Sequence, residues 1–333
     1  MSTIDHKLPK SKTRWGVLLL AHGAPDRLED IPEFLLNVRG GRPLPEPAVK
    51  EIINRYRLIG GGSPLLKLTT LQAAGLAEAL NQGTAGSGPQ SIPVYIGMRN
   101  WKPYIADAIG QAVEDGVGRL VALCLAPQNS RTSVGLYRKY LAEAVAKVSP
   151  ELKVEFIESW HDQPDLVAAF ADRVSEALRQ VESEVGGPVP VIFTAHSVPE
   201  RTVAEGDPYE RQVKETARLV AERMSLKDFR IAFQSQGMTA DPWIGPTVES
   251  QIDELAAAGH HHILIAPIGF VCDHVEILYD IDVLFRDYGK NKGVAVHRSQ
   301  SLNNSPLFIR ALAAVVSARI GSDIPESRSA GIV

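Results

Sequence analysis

Short runs of β-branched and aliphatic residues alternate along this chain with longer stretches whose apolar positions recur at helical spacing. Residues 17–20, 94–97, 120–125, 154–157, 189–193, 230–234, 263–265 and 294–297 are predicted strands. Residues 71–80, 104–115, 137–148, 165–181, 207–224, 246–258 and 306–318 are predicted helices. Such alternation indicates an α/β fold of parallel sheets wrapped by helices.

The two halves of the pattern echo each other. Leu20-Ala-His22-Gly in the first corresponds to Thr194-Ala-His196-Ser in the second, Pro103-Tyr-Ile to Pro242-Trp-Ile, and Leu125-Ala-Pro127 to Ile265-Ala-Pro267. Two offsets agree (242 − 103 = 139 and 267 − 127 = 140), while the Ala-His pair is displaced by 196 − 22 = 174. An internal duplication fits these echoes, with an insertion of about 35 residues in the first half, somewhere within 25–68. Two such domains, 14–157 and 158–318, would face each other across a cleft between strand ends, a usual place for a ligand. The insertion would wall that cleft, and 1–13 and 319–333 would be tails.

Composition narrows the class. The chain has 333 residues, 44% hydrophobic and 22% charged, as in an ordinary globular protein. A net charge of −4, with no dense Lys/Arg stripe, argues against a nucleic-acid partner. Cys124 and Cys272 are the only cysteines, which excludes a disulfide scaffold or a four-cysteine cluster. Residues 16–21 are too short for a secretory h-region, and no apolar run reaches membrane-spanning length. A cytoplasmic protein without an integral membrane segment is expected.

The candidate chemistry lies just past the apolar runs. His196 follows 189–193 in a Ser/Pro-marked loop, and neutral imidazole is both a metal ligand and a base suited to neutral pH. A core histidine or a helix-capping partner is the structural alternative. Glu276 sits among Phe270, Val271, Val275, Ile277 and Leu278, where a carboxylate needs a partner such as a cation. Asp280, at i+4, shares its helical face. His22 takes the first-half position matching His196, as a second ligand or as an echo of the duplication. His260-His261-His262 precedes a strand at the opposite sheet end from Glu276, and adjacent residues of a strand point to opposite faces. It is expected to be an exposed strand opening rather than a metal site. The insertion mixes glycines with Arg39, Arg42 and Arg55, suited to bidentate carboxylate capture or to an ordinary surface loop. Gly60-Gly-Gly-Ser63 lacks the Lys-Ser/Thr of a phosphate-binding P-loop.

These segments resemble a known family. Thr194-Ala-His-Ser-Val-Pro199, Gly206-Asp-Pro-Tyr209, Ala240-Asp-Pro-Trp-Ile-Gly-Pro246 and Pro267-Ile-Gly-Phe-Val-Cys-Asp-His-Val-Glu-Ile-Leu-Tyr-Asp280 are similar to signature segments of ferrochelatases. Tyr95-Ile-Gly-Met-Arg99 and Leu125-Ala-Pro127 also fit. The Gly23-Ala-Pro-Asp26 start and Arg39-Gly-Gly-Arg-Pro43 look closest to the coproporphyrin type of Gram-positive bacteria.

The resemblance implies two similar Rossmann-like domains (class II chelatase-like), each a parallel sheet flanked by helices, clasping a porphyrin. It implies Fe²⁺ as substrate, with Zn²⁺ as an in vitro surrogate, and two pyrrole protons released. His196 and Glu276 carry over as the pair at the metal. Arg39, Arg55, Tyr56, Ser63 and Tyr137 fall where the coproporphyrin type contacts porphyrin and propionates, and His22 where that type has an iron-ligating Tyr. Asn100 and Gln128 stand where His is common, and Leu284 replaces an acid of an outer metal site. No tightly bound cofactor and no iron–sulfur cluster are expected. The expected partners are porphyrin, Fe²⁺ and haem-pathway enzymes, and the expected state is a monomer. The rival readings are a chelatase for cobalt or nickel in another tetrapyrrole, and a haem-holding or haem-transfer protein without turnover.

Overall fold

The computed structural model describes residues 14–82, 91–237 and 241–321. The expected tails 1–13 and 319–333 lie outside the described residues, except for 319–321, which end helix α12. The first half runs β1 (Trp15–Ala21), a 3₁₀ turn (Leu28–Asp30), α1 (Ile31–Val38), α2 (Glu46–Leu58), α3 (Leu65–Leu80), β2 (Val94–Met98), α4 (Ile105–Glu114), β3 (Arg119–Cys124), α5 (Val134–Val148) and β4 (Lys153–Ile157). The second runs α6 (Pro164–Val185), β5 (Val191–His196), α7 (Glu200–Ala204), α8 (Tyr209–Met224), β6 (Phe229–Gln234), α9 (Val248–Ala257) and β7 (His262–Pro267). It continues through α10 (Val275–Leu278), a π-helical turn (Asp280–Phe285), α11 (Arg286–Asn291), β8 (Ala295–Arg298) and α12 (Pro306–Gly321).

Each half builds one four-stranded parallel sheet, in the orders β2-β1-β3-β4 and β6-β5-β7-β8. The two orders are the same permutation, so the two halves share one topology. Alternation along the central strands explains the packing. In β1, Val17 and Leu19 enter one core, while Leu18 and Leu20 enter the other, against α4 and α5. All four are fully buried, each contributing roughly 2 kcal/mol. Val191 and Phe193 of β5 divide from Ile192 in the same manner.

The core containing Val17, Leu19, Val191 and Phe193 is continuous across both halves. Helices α6 and α12 join it: α12 packs on α3 and β3 of the first half as well as on α6. Helix α12 thus covers the first sheet.

Helices α1 and α2 are absent from those predicted. Gly40 and Gly41, both at positive φ, with Pro43, Pro45 and Pro47 nearby, break the insertion into pieces too short for a clear period. What orders these pieces is a small cluster of Ile31, Phe34, Leu35 and Tyr56 around Trp101, with Val275 of the second half packed against it. The insertion therefore touches both halves.

Candidate active site

His196 is the last residue of β5, and its geometry is fixed from three sides. Its carbonyl accepts from the Tyr209 hydroxyl at 2.9 Å. The next residue is tied by Ser197 N to Gln234 O (2.7 Å) and by Ser197 Oγ to Ile244 O (2.7 Å). The ring places Nδ1 on the Ser197 carbonyl, so Nδ1 carries the proton and Nε2 is directed elsewhere. His22, just after β1, repeats this arrangement, with Nδ1 2.9 Å from the Gly23 carbonyl. Gly23 has φ +82°, and a Cβ there would stand 2.7 Å from Trp101 N. Only glycine lets that turn close on the residues after β2.

Glu276 comes from the second turn-forming segment, after β7. Its carboxylate lies 3.7 Å from His196 Nε2 and 3.6 Å from His274 Nε2. The His274 ring is oriented by Nδ1 on the Cys272 carbonyl at 3.1 Å. Gln234, ending β6, donates to the Glu276 carbonyl at 2.8 Å. The loop preceding it is tied down through Asp273, which accepts from Arg298 (3.3 Å), Ser301 (2.7 Å) and Asn303 (2.9 Å). Asp282 pairs with Arg298 through two bonds of 2.9 Å, a structural role.

One close approach brings the segments bearing His196 and Glu276 together. A Cβ on Gly269 would stand 2.5 Å from Ala195 Cβ and 2.7 Å from Ala195 Cα. The Pro267–Gly269 turn can lie on the end of β5, beside His196, only without a side chain. His196 and Glu276 are each 36% exposed at the side chain, so a molecule in the cleft reaches both.

Charge follows from this packing. Burial by itself would raise the Glu276 pKa, but His196, His274 and His22 together outweigh it and hold the carboxyl below its ordinary range. Asp280 goes the other way: burial pushes it up to about 6, opposed by the Ser235 hydroxyl and reinforced by the Glu276 charge. Two carboxylates one helical turn apart are thus driven in opposite directions. Enclosure in the cleft, and then Arg99, lower the His22 pKa, although water reaches its ring. The ring stays neutral, and its Nε2 accepts from Asn100 Nδ2 at 2.9 Å. Among the described residues, no three His, Cys, Asp or Glu side chains are gathered into a closed metal cage. The site is an open pair.

The remaining expected residues all come from the first half. Tyr56 and Tyr137 are buried, and burial, with the Glu276 charge among the further causes, raises both phenols. The Arg99 guanidinium lies over the Tyr137 ring at 5.0 Å, and Arg55 over Tyr279 at 5.2 Å while paired with Glu51. Ser63 is buried where its amide donates to the Pro25 carbonyl at 2.9 Å. Arg39 stands exposed at the end of α1, apart from the His–Glu pair. His274 and Arg99 lie within the signature segments, but the sequence by itself assigns them no role. The signal for His274 was its place two residues before Glu276 in a polar Cys-Asp-His turn. Residues 238–240, including Ala240 of one signature segment, lie outside the described residues.

Two like-ordered parallel sheets with an imidazole and a carboxylate meeting at their strand ends define a chelatase fold. The solved sirohydrochlorin chelatase of Bacillus subtilis subspecies spizizenii, in complex with cobalt, matches 93% of this chain and 97% of its own with a TM-score of 0.57. At 12% identity that likeness speaks for the fold alone. Sequence carries the assignment further. The ferrochelatase family model matches residues 14–320, and the chain belongs to the ferrochelatase family. A protein named ferrochelatase from Acidobacterium capsulatum is 50% identical, covering 90% of this chain and 93% of the relative. Coproporphyrin III ferrochelatases of Bacillus subtilis and Geobacillus are 36% and 35% identical, each covering 93% of this chain and 99% of the relative.

Proposed function

We propose that this protein inserts ferrous iron into a porphyrin, coproporphyrin III or protoporphyrin IX, releasing two protons in a terminal step of haem biosynthesis. The observation that carries the reading is the Glu276 carboxylate facing the Nε2 atoms of His196 and His274 at an open strand-end site. The Glu276 carboxylate, held ionised in this setting, attracts a divalent cation. Imidazole nitrogen and carboxylate oxygen both ligate ferrous iron.

The reaction exchanges one Fe²⁺ for two pyrrole N–H protons. His196 suits the acceptor's role, because Nδ1–H is held on a backbone carbonyl and Nε2 keeps its lone pair. A proton arriving at Nε2 is stabilised by the Glu276 carboxylate 3.7 Å away. Asp280, with its raised pKa, can take up and release protons near neutrality, and so lies on a way out from Glu276. His22 presents its Nε2 to iron only if Asn100 withdraws its amide. The porphyrin lies between the domains 14–157 and 158–318, walled by residues of about 25–68. Arg39, Arg55, Tyr56, Ser63 and Tyr137 contact the ring and its propionates. Distorting the ring so that a nitrogen lone pair faces the metal is the use of that binding energy, since it favours the transition state over the flat substrate.

No described helix is long and apolar enough to cross a membrane. A cytoplasmic monomer working with haem-pathway enzymes, without a resident cofactor, completes the proposal. The test is porphyrin binding and iron insertion measured separately in His196→Ala and Glu276→Gln. Both variants should still shift the porphyrin absorbance on binding and should lose insertion. Retained insertion in either would remove that residue from the chemistry.

A further inference from the structure

A second pair of imidazoles meets far from the cleft. Strands β7 and β8 run parallel with His262 opposite Ala295 and Leu264 opposite His297. Residues two apart on a strand share a face, so His262 lies on the face of Leu264, and therefore of His297. The two rings stack at 25° with centroids 5.5 Å apart, and His262 Nδ1 lies 3.2 Å from His297 Nε2. Both residues are half-buried, so one side of the pair is open to water. Between two neutral rings only one of the facing nitrogens carries the shared proton, and the other presents a lone pair. When the donating ring takes its other tautomer, its proton sits on the remote nitrogen and a cation finds a lone pair on each facing nitrogen.

We infer that His262 and His297 form a two-imidazole site for a borderline divalent metal such as Zn²⁺, Ni²⁺ or Co²⁺, distinct from the site of iron insertion. Two nitrogens bound at ~2.0–2.1 Å with a tetrahedral angle between them stand roughly 3.3 Å apart. The observed 3.2 Å therefore needs little movement. Imidazole nitrogen is a preferred donor for these metals, and water fills the open positions. Burial first, then His262, lowers the His297 pKa, which keeps its ring in the neutral, metal-binding form; the Glu184 carboxylate at the end of α6 acts the other way and Arg286 adds to the lowering. His262 opens β7, whereas the loop bearing Glu276 leaves the other end at Pro267, about 17 Å of strand away. A metal at this pair ties the start of β7 to β8 and lies off the path into the cleft.

The test is calorimetric titration of the untagged chain with Ni²⁺, in the wild type and in His262→Gln and His297→Gln. One class of Ni²⁺ site should weaken by roughly tenfold or more in both variants, while iron insertion proceeds at the wild-type rate. Isotherms identical to wild type would overturn the site and leave the rings sharing only a hydrogen bond. Binding and insertion lost together would overturn it too, by placing the metal in the cleft. A measurement without any variant is anomalous scattering from crystals soaked in Co²⁺: the inference requires a peak between the two rings, and peaks only elsewhere refute it.

Discussion

Gly269→Ala should separate catalysis from folding. The φ of Gly269 lies outside the left-handed region, so the obstacle to a side chain is space alone. The added Cβ would meet Ala195 Cβ at 2.5 Å and Ala195 Cα at 2.7 Å, against an ordinary carbon–carbon contact of about 3.5–4.0 Å. One of these atoms belongs to the backbone of β5, which is held by strands on both sides. The turn must therefore move by about 1 Å, and the segment carrying Glu276 follows it away from His196. Overpacking of this kind costs about 1–3 kcal/mol of stability. A misplacement of about 1 Å between reacting groups costs on the order of 10²-fold in rate. The assay is kcat for anaerobic iron insertion beside a urea midpoint. Adding Ala195→Gly removes the closer of the two contacts and should return part of the lost rate. A folded Gly269→Ala protein with wild-type kcat would refute the claim that this close approach sets the His196–Glu276 geometry.

Other outcomes follow from the same coordinates. Asp280 has a folded pKa of about 6 against an ordinary 3.8, so the fold holds its proton more tightly than the unfolded chain does. That contribution, about 3 kcal/mol, is present below pH 4 and is lost as pH rises through 6. Between pH 4 and 8, wild-type unfolding free energy should fall by about that much relative to Asp280→Asn, and parallel profiles would contradict it. Breaking the Asn100–His22 hydrogen bond costs about 1 kcal/mol, so if His22 ligates iron, Asn100→Ala should bind haem roughly fivefold more tightly. Unchanged haem affinity would take His22 out of the ligand set. Phe193→Ala, at a fully buried ring 5.4 Å from Phe229 in the shared core, should lower stability by about 3–5 kcal/mol in urea unfolding.

The sheets were legible because a strand buried on both faces appears in sequence as an unbroken apolar run, as in 17–20 and 263–265. The duplication was legible for a related reason. Strand ends that carry function repeat as short motifs, and both Ala-His turns proved to hold Nδ1 on the following carbonyl. The helices of the insertion were not, since α1 and α2 are ordered by Trp101 and Val275, residues distant in sequence, rather than by their own periodicity. His196 could be picked out by its place in a Ser/Pro-marked loop past a strand, Glu276 as a carboxylate in an apolar setting, and Asp280 by its i+4 spacing from Glu276. The parts played by His274, Asn100 and Gly269 depend on what stands opposite them in space, which spacing along the chain does not reveal. The same limit hid the pairing of His262 with His297, thirty-five residues further on.

The central claim is a porphyrin metallation that depends on His196 and Glu276. Its most direct test is anaerobic Fe²⁺ insertion into coproporphyrin III and protoporphyrin IX, followed by absorbance in parallel, with His196→Ala as control. The account predicts turnover of at least one porphyrin and a loss of about 10²–10⁴-fold in the variant. No turnover of either, with haem bound tightly by the wild type, would contradict it and make the chain a haem carrier.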